Sequence, residues 1–340
     1  MNHCTRSARS TMVSALLLAA AVSAALPGPS RAQSPATPGP LEVVLLGTAA
    51  GPTPRVDRSQ PANLLRVNGQ PYLIDAGDNV SQQLARAGVV ATAVNTAFIT
   101  HLHFDHTLGL GSLMAFGWQS GRTQPMPIWG PPGTAEFVTR EASGLDISAE
   151  IFRPQLSPRA QFADIYPVHE INVDAPVEVF RDEHVRVSAT LNTHYDSASQ
   201  VERSYGFDKS YSYRFDTAHG SVVFTGDTGP SENLALMASG ADILVAEILD
   251  LPSLSDLLRR KFGDVNIEPM IAHMRHDHLS AADVGRLAQT AGVKMVILTH
   301  FSMGASFDPE TFVAQVREFY PVGDIVVGRD VGVYRLPPRS

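Results

Sequence analysis

Short apolar, β-branched runs recur along most of the chain, each closed by glycine or a polar cluster. They lie at Leu41 to Leu46, stopped by Gly47, then Asn63 to Val67, Tyr72 to Ile74, Thr96 to Ile99, Val185 to Leu191, Tyr211 to Phe215, Val222 to Phe224, Ile243 to Val245, Met295 to Leu298, Ile325 to Val327 and Val331 to Leu336. Runs this short and this uniformly apolar predict buried strands. Between them the spacing turns helical. Val80 to Ala87 ends at Gly88, Ser280 caps Ala281 to Ala291 with Gly292 after it, Asp308 opens a helix to about Phe319, and Leu254 to Lys261 is helical. Strands and helices alternate in both halves with no break in composition. One α/β domain over 41–338, two sheets covered by helices, is the economical reading.

The first residues follow a different pattern. Arg6 and Arg9 precede the apolar run Met12 to Leu26, and Ser30-Arg31-Ala32 closes it with a small-residue cleavage pattern, so residues 1–32 are expected to be a signal peptide. The run is shorter than the roughly 20 residues that span a bilayer and is followed by Pro27 and Pro29, so no stable membrane anchor is expected. Residues 33–40, with three prolines, form a short tether. The expected destination is the periplasm or the medium.

Composition narrows the chemistry. Of 340 residues, 44% are hydrophobic and 18% charged, as in globular proteins. The net charge of −8 becomes −11 once the three N-terminal arginines are removed, and such a surface disfavours a polyanionic partner. The single cysteine, Cys4, excludes a disulfide framework and a thiolate metal site.

Chemistry concentrates at strand ends. After Thr96 to Ile99 comes His101-Leu102-His103-Phe104-Asp105-His106, three imidazoles and a carboxylate within six residues. Imidazole and carboxylate are what zinc takes when thiolate is absent. Residues two apart leaving a strand point the same way, so His101 and His103 can converge on one ion while the turn sends Asp105 and His106 toward a second. Further along, His194, Asp227 and His300 each follow a predicted strand. Singly, each also reads as a cap or surface residue; with the first cluster they complete two N/O ligand sets, with Asp227 fitting the shared position.

In order and spacing, His101-x-His103-x-Asp105-His106, His194, Gly226-Asp227-Thr228 and Leu298-Thr299-His300 resemble the metal motifs of the metallo-β-lactamase superfamily, across nearly the whole body from Leu45-Leu46-Gly47-Thr48 onward. The resemblance implies an αββα sandwich of two mixed β-sheets flanked by helices. It implies two Zn2+ per chain: His101, His103 and His194 on one, Asp105, His106 and His300 on the other, Asp227 bridging. It makes the chain a zinc-dependent hydrolase in which the metals lower the pKa of a shared water.

Gly130-Pro131-Pro132-Gly133-Thr134, Ala241 to Glu247, His278-Leu279-Ser280 and Leu298 to Ser302 are similar to the tRNase Z and arylsulfatase-like branch. There a glutamate, here Glu247, orients a histidine, here His278, which protonates the leaving group; Asp105 orients the attacking water. The branch's histidine before the glutamate is Ala246 in this chain. Two departures set the substrate expectation. Met303-Gly304 stands where tRNA-cutting members carry an arginine shortly after the His-Phe/Ile-Ser motif, and between His106 and His194 six arginines and no lysine face ten acids, so no basic arm can be assigned. The expectation is therefore an exported dizinc hydrolase of small anionic or aryl esters, phosphodiester or sulfate, with no nucleic acid as partner. Lactonase, β-lactamase and hydrolytic dehalogenase activity stay open as alternatives, with tRNA 3′ processing disfavoured. Trp118, Tyr195, Tyr205, Phe207 and Phe301 are aromatic pocket candidates. Leu249 to Met270 reads as a lid or a dimer contact, which leaves a homodimer open.

Overall fold

Every residue of the first strand, β1 (Leu41–Gly47), is buried, because both faces of its sheet are covered. The computed structural model describes residues 39–336 apart from 52, 198–200, 264 and 305–307; the expected signal peptide 1–32 and most of the expected tether lie outside the described residues. The first half runs β2 (Ala62–Val67), β3 (Gln70–Ile74), α1 (Val80–Arg86), β4 (Thr96–Phe98), α2 (Phe104–Thr107), α3 (Leu110–Gln119), β5 (Ile128–Gly130), α4 (Thr134–Phe152), α5 (Phe162–Ile165) and β6 (Val168–Glu170). The second runs β7 (Val177–Arg181), β8 (Val185–Leu191), β9 (Tyr211–Thr217), β10 (Gly220–Phe224), α6 (Glu232–Ala238), β11 (Ile243–Leu249), α7 (Leu251–Phe262), α8 (Glu268–Asp277), α9 (Ala281–Ala291), β12 (Met295–Ser302), α10 (Pro309–Phe319), β13 (Asp324–Val327) and β14 (Gly332–Tyr334).

The strands form two seven-stranded sheets, β14-β1-β2-β3-β4-β5-β6 and β13-β12-β11-β10-β9-β8-β7. Each is mixed: β3 to β6 and β10 to β13 pair in parallel, the remainder antiparallel. Alternate residues of β1 serve two cores. Val43 and Leu45 face the layer between the sheets, where Phe98, Tyr213 and Phe215 pack edge to face; Val44 and Leu46 face the helices outside the first sheet. The second sheet buries Leu244, Ala246 and Val296 under the helical layer that includes Val284, Ala288 and Val316. This is the expected αββα sandwich, and burial of each large side chain contributes roughly 1.5–3 kcal/mol.

Ser280 accepts from Asp283 N while the Asp283 carboxylate accepts from Ser280 N, a reciprocal cap that starts α9; Gly292, at φ 66°, ends it. The 19-residue α4 was not legible: Ile147 and Ile151 are exposed, so the apolar spacing that marks an amphipathic helix is blurred. The helix expected over Leu254 to Lys261 is longer, Leu251–Phe262, with Asp250 accepting from Ser253 N at its start, and α8 follows it unforeseen. Among the described residues no helix is long and apolar enough to cross a membrane.

Candidate metal centre

The parallel strands of both sheets end at one edge, and the histidines and carboxylates leave from there. His101 follows β4, and the four-residue α2 begins at once, turning Asp105 and His106 to another side of the cluster from His101 and His103. His194 and Asp227 follow β8 and β10. His300 differs from expectation: β12 continues to Ser302, and His300 sits inside it. Glu247 pairs with Thr299 but Ile248 with Phe301, so His300 is the extra residue of a bulge with φ 44°. A bulge re-aims one side chain without ending the strand, and here it delivers His300 to the cluster.

Among the described residues four groups of potential ligands emerge, two of them the expected sets and two built around His278, with His194 and His273 and with Glu247 and His300. One ligand atom each from His101, His103 and His194 lies within 4.8 Å of the others, and the same holds for Asp105, His106, Asp227 and His300. Asp227 stands between the sets: Oδ1 is 3.3 Å from His106 Nε2, and Oδ2 is 3.1 Å from His300 Nε2, 3.9 Å from His101 Nε2 and 4.0 Å from His194 Nε2. His101 Nε2, His106 Nε2 and Asp227 Oδ1 are buried with no hydrogen-bond partner among the described residues. Buried polar atoms are nearly always satisfied, so a cluster of orphaned imidazole nitrogens and a carboxylate oxygen fits a cation. Burial, then neighbouring imidazoles, hold His101 and His194 well below the ordinary histidine range, in the neutral form that ligates metal. Burial also opposes charge on Asp105 and Asp227, but the surrounding histidines outweigh it and keep both ionised. Burial would likewise neutralise His300; Asp227 and Asp105 instead lift it to about 10.

The supporting contacts include residues the sequence did not single out. Asp75, directly after β3 and at φ 62°, accepts from Thr100 N at 2.7 Å and faces His106 Nδ1 at 2.8 Å; Thr100 Oγ1 is 3.0 Å from His101 Nδ1. One buried carboxylate thereby orients ligands of both sets. The available signal was an acid immediately after a buried strand, as in Ile74-Asp75-Ala76-Gly77. Asp75→Asn is expected to weaken metal binding about 10- to 100-fold, measured by competition with a chelator; unchanged affinity would leave Asp75 only a turn former. Gly51 N donates to Asp105 Oδ2 at 2.8 Å, and a Cβ at Gly51 would lie 2.4 Å from Asp105 Cγ, so the backbone approach requires glycine.

His278 caps α8 and is buried. Its Nδ1 lies 2.6 Å from Glu247 Oε2, while Glu247 Oε1 accepts from Thr228 N at 2.6 Å. Burial opposes charge on His278, but Glu247 raises its pKa. Glu247 Oε2 is also 3.7 Å from His300 Nδ1, so one carboxylate addresses both histidines. His273 Nδ1 lies 2.5 Å from Asp277 Oδ2, and Asp277 O is 3.0 Å from His194 Nδ1.

The aromatic candidates divide. Tyr195 is packed on His101, His103 and His194 with centroids 5.0–6.0 Å away. Trp118 is core, stacking on Phe162 and donating to Ala160 O, whereas Phe301 packs on Phe312 and also lines a cavity beside α7. Tyr205 donates to Asp208 and Phe207 is exposed.

A family profile described as a beta-lactamase superfamily domain matches residues 71–301. Ribonuclease Z of Mycobacterium bovis (strain BCG / Pasteur 1173P2) is 30% identical over 311 residues, covering 88% of this chain and 99% of that protein. The human short-form tRNase Z superposes with a TM-score of 0.62 at 21% identity over 87% of this chain and all of that one. A metallo-beta-lactamase fold protein of Bacillus subtilis superposes at 0.61 and 18% identity with the same coverage. The ribonuclease Z relatives overturn two expectations: hydrolysis of small anionic or aryl esters, and the absence of a nucleic-acid partner. Net charge averages over the whole surface and does not exclude a local basic patch. Basic residues lie outside the His106 to His194 stretch: Arg259, Arg260 and Lys261 stand together at the end of α7, and Arg55 lies on the loop before β2.

Proposed function

The chain belongs to the beta-lactamase superfamily, in its tRNase Z-like branch, and is a metal-dependent hydrolase; from that premise we propose that it is an RNA endonuclease cutting a phosphodiester at the 3′ side of tRNA. The observation that carries the reading is the pairing of His278 with Glu247 beside the two ligand sets, a proton donor next to a hydrolytic centre, in a chain 30% identical to a ribonuclease Z over 88% of its length.

The donor set fits two zinc ions, which His101, His103 and His194 and Asp105, His106 and His300 would hold, with Asp227 placed to serve both sets. Bound there, they would polarise a phosphoryl oxygen and lower the pKa of a water. The residues do the remainder. Asp105, fixed by the Gly51 amide, accepts the proton of the attacking water. His278, whose Nδ1 is engaged by Glu247, protonates the departing ribose oxygen from Nε2. Incubating the purified chain with a tRNA precursor carrying a 3′ trailer tests the proposal: cleavage that stops on chelation and returns with zinc is expected, and an intact precursor with the metal-loaded protein overturns it.

Export is a separate part of the proposal, supported by the sequence of residues 1–32 alone. Mass measurement of the chain from cell fractions should find Gln33 as first residue outside the cytoplasm. A full-length cytosolic chain overturns export and leaves the RNA reading intact.

A further inference from the structure

The helical pair α7–α8 encloses a cavity that the hydrolytic chemistry above does not use. Its volume is about 280 Å³. Leu254, Leu257 and Leu258 line it from one face of α7, three and four residues apart, and Met270 and Met274 line it from α8, four apart. The cavity adjoins the metal centre through two residues. Gly51 lines it and also holds Asp105, and Ser302 lines it two residues beyond His300. Arg55 and the exposed Lys261 are also among the lining residues. Lys261 Nζ lies 3.4 Å from Thr53 Oγ1, and Arg55 Nε lies 3.2 Å from Asp57 Oδ1, which ties the cationic side of the cavity to the loop before β2.

Apolar walls with the three adaptable thioethers of Met270, Met274 and Met303 and the ring of Phe301 suit a flat aromatic ring, and neighbouring cations suit the phosphates that flank it. We infer that this cavity is a nucleobase subsite, taking the base of the nucleotide next to the scissile phosphate. The inference rests on the RNA reading for its ligand class. A lone phosphate would leave the leucine and methionine walls uncovered, and a lipid chain would gain nothing from the continuity with Asp105 and His300.

Calorimetric titration of the zinc-loaded full chain with adenosine 5′-monophosphate and with ribose 5-phosphate isolates the base. The nucleotide should bind about tenfold more tightly, in line with the stacking of a base on protein side chains. Leu257→Trp, which fills the cavity, should bring the nucleotide down to the affinity of ribose 5-phosphate and leave the latter unchanged. Lys261→Gln should weaken both ligands alike. If Leu257→Trp lowers the melting temperature, Met274→Ala decides, since removing one wall should reduce the preference for the nucleotide several-fold. Equal affinity of the wild-type chain for the two ligands, or an undiminished preference in folded Leu257→Trp and Met274→Ala, would overturn the subsite. Because binding is read without turnover, failure of RNA cleavage with base preference intact would refute the proposed function and leave the subsite standing. Cleavage without base preference would do the reverse.

Discussion

Replacing Asp227 by alanine is expected to abolish RNA cleavage and to strip metal from the protein in the same step. Its two oxygens lie 3.1–4.0 Å from ligand nitrogens of both sets. Two cations held by these sets would face one another without the buried Asp227 carboxylate between them, and at a buried position like-charge repulsion is weakly screened. Elemental analysis should fall from about two zinc ions per chain to one or none, the tetrahedral preference of zinc being the reason seven imidazole and carboxylate ligands serve more than one ion. Full metal content with normal cleavage would reduce Asp227 to a turn residue after β10.

His278→Ala should behave in the opposite way with respect to metal. Its Nδ1 faces Glu247, and it lies outside the His101/His103/His194 and Asp105/His106/Asp227/His300 sets, although it also clusters with His194 and His273 and with Glu247 and His300. Zinc content should therefore stay at the wild-type level while the cleavage rate falls roughly 10²- to 10⁴-fold, the usual contribution of a positioned proton donor. A substrate with sulfur in place of the bridging oxygen at the scissile bond has a leaving group that needs no proton, and on it the loss should shrink. Glu247→Gln should give a weaker version of the same pattern, because it keeps a hydrogen-bonding side chain but removes the charge that favours the imidazolium. Equal losses on both substrates, or loss of zinc, would make His278 a structural residue.

The candidate site was largely legible because metal ligands are bound to strand ends, and strand ends can be read from where apolar runs stop. His101, His103, Asp105 and His106 needed no tertiary information: four potential ligands in six residues are close in any conformation. Asp75 was not legible as an orienting residue. An acid after a strand is common, and only the parallel pairing of β3 with β4 sets it beside Thr100 and His106. The cavity behind α7 was equally hidden, since its walls come from two helices, a loop and a strand end separated by up to 254 residues, from Ala50 to Gly304.

The sequence by itself determined the layered α/β architecture and the chemistry of the centre, because strand periodicity and the absence of usable thiolate are local facts of composition. The tertiary structure decided three further matters. It delivers His300 through a bulge inside β12 rather than after it, since the paired strand β11 holds register on both sides. It joins Glu247 to His278 across 31 residues. It sets Arg55 and Lys261, 206 residues apart in the chain, around one cavity in a protein whose overall charge is −8. Net charge is a sum and has no direction, and only folding decides which part of a negative surface is locally positive.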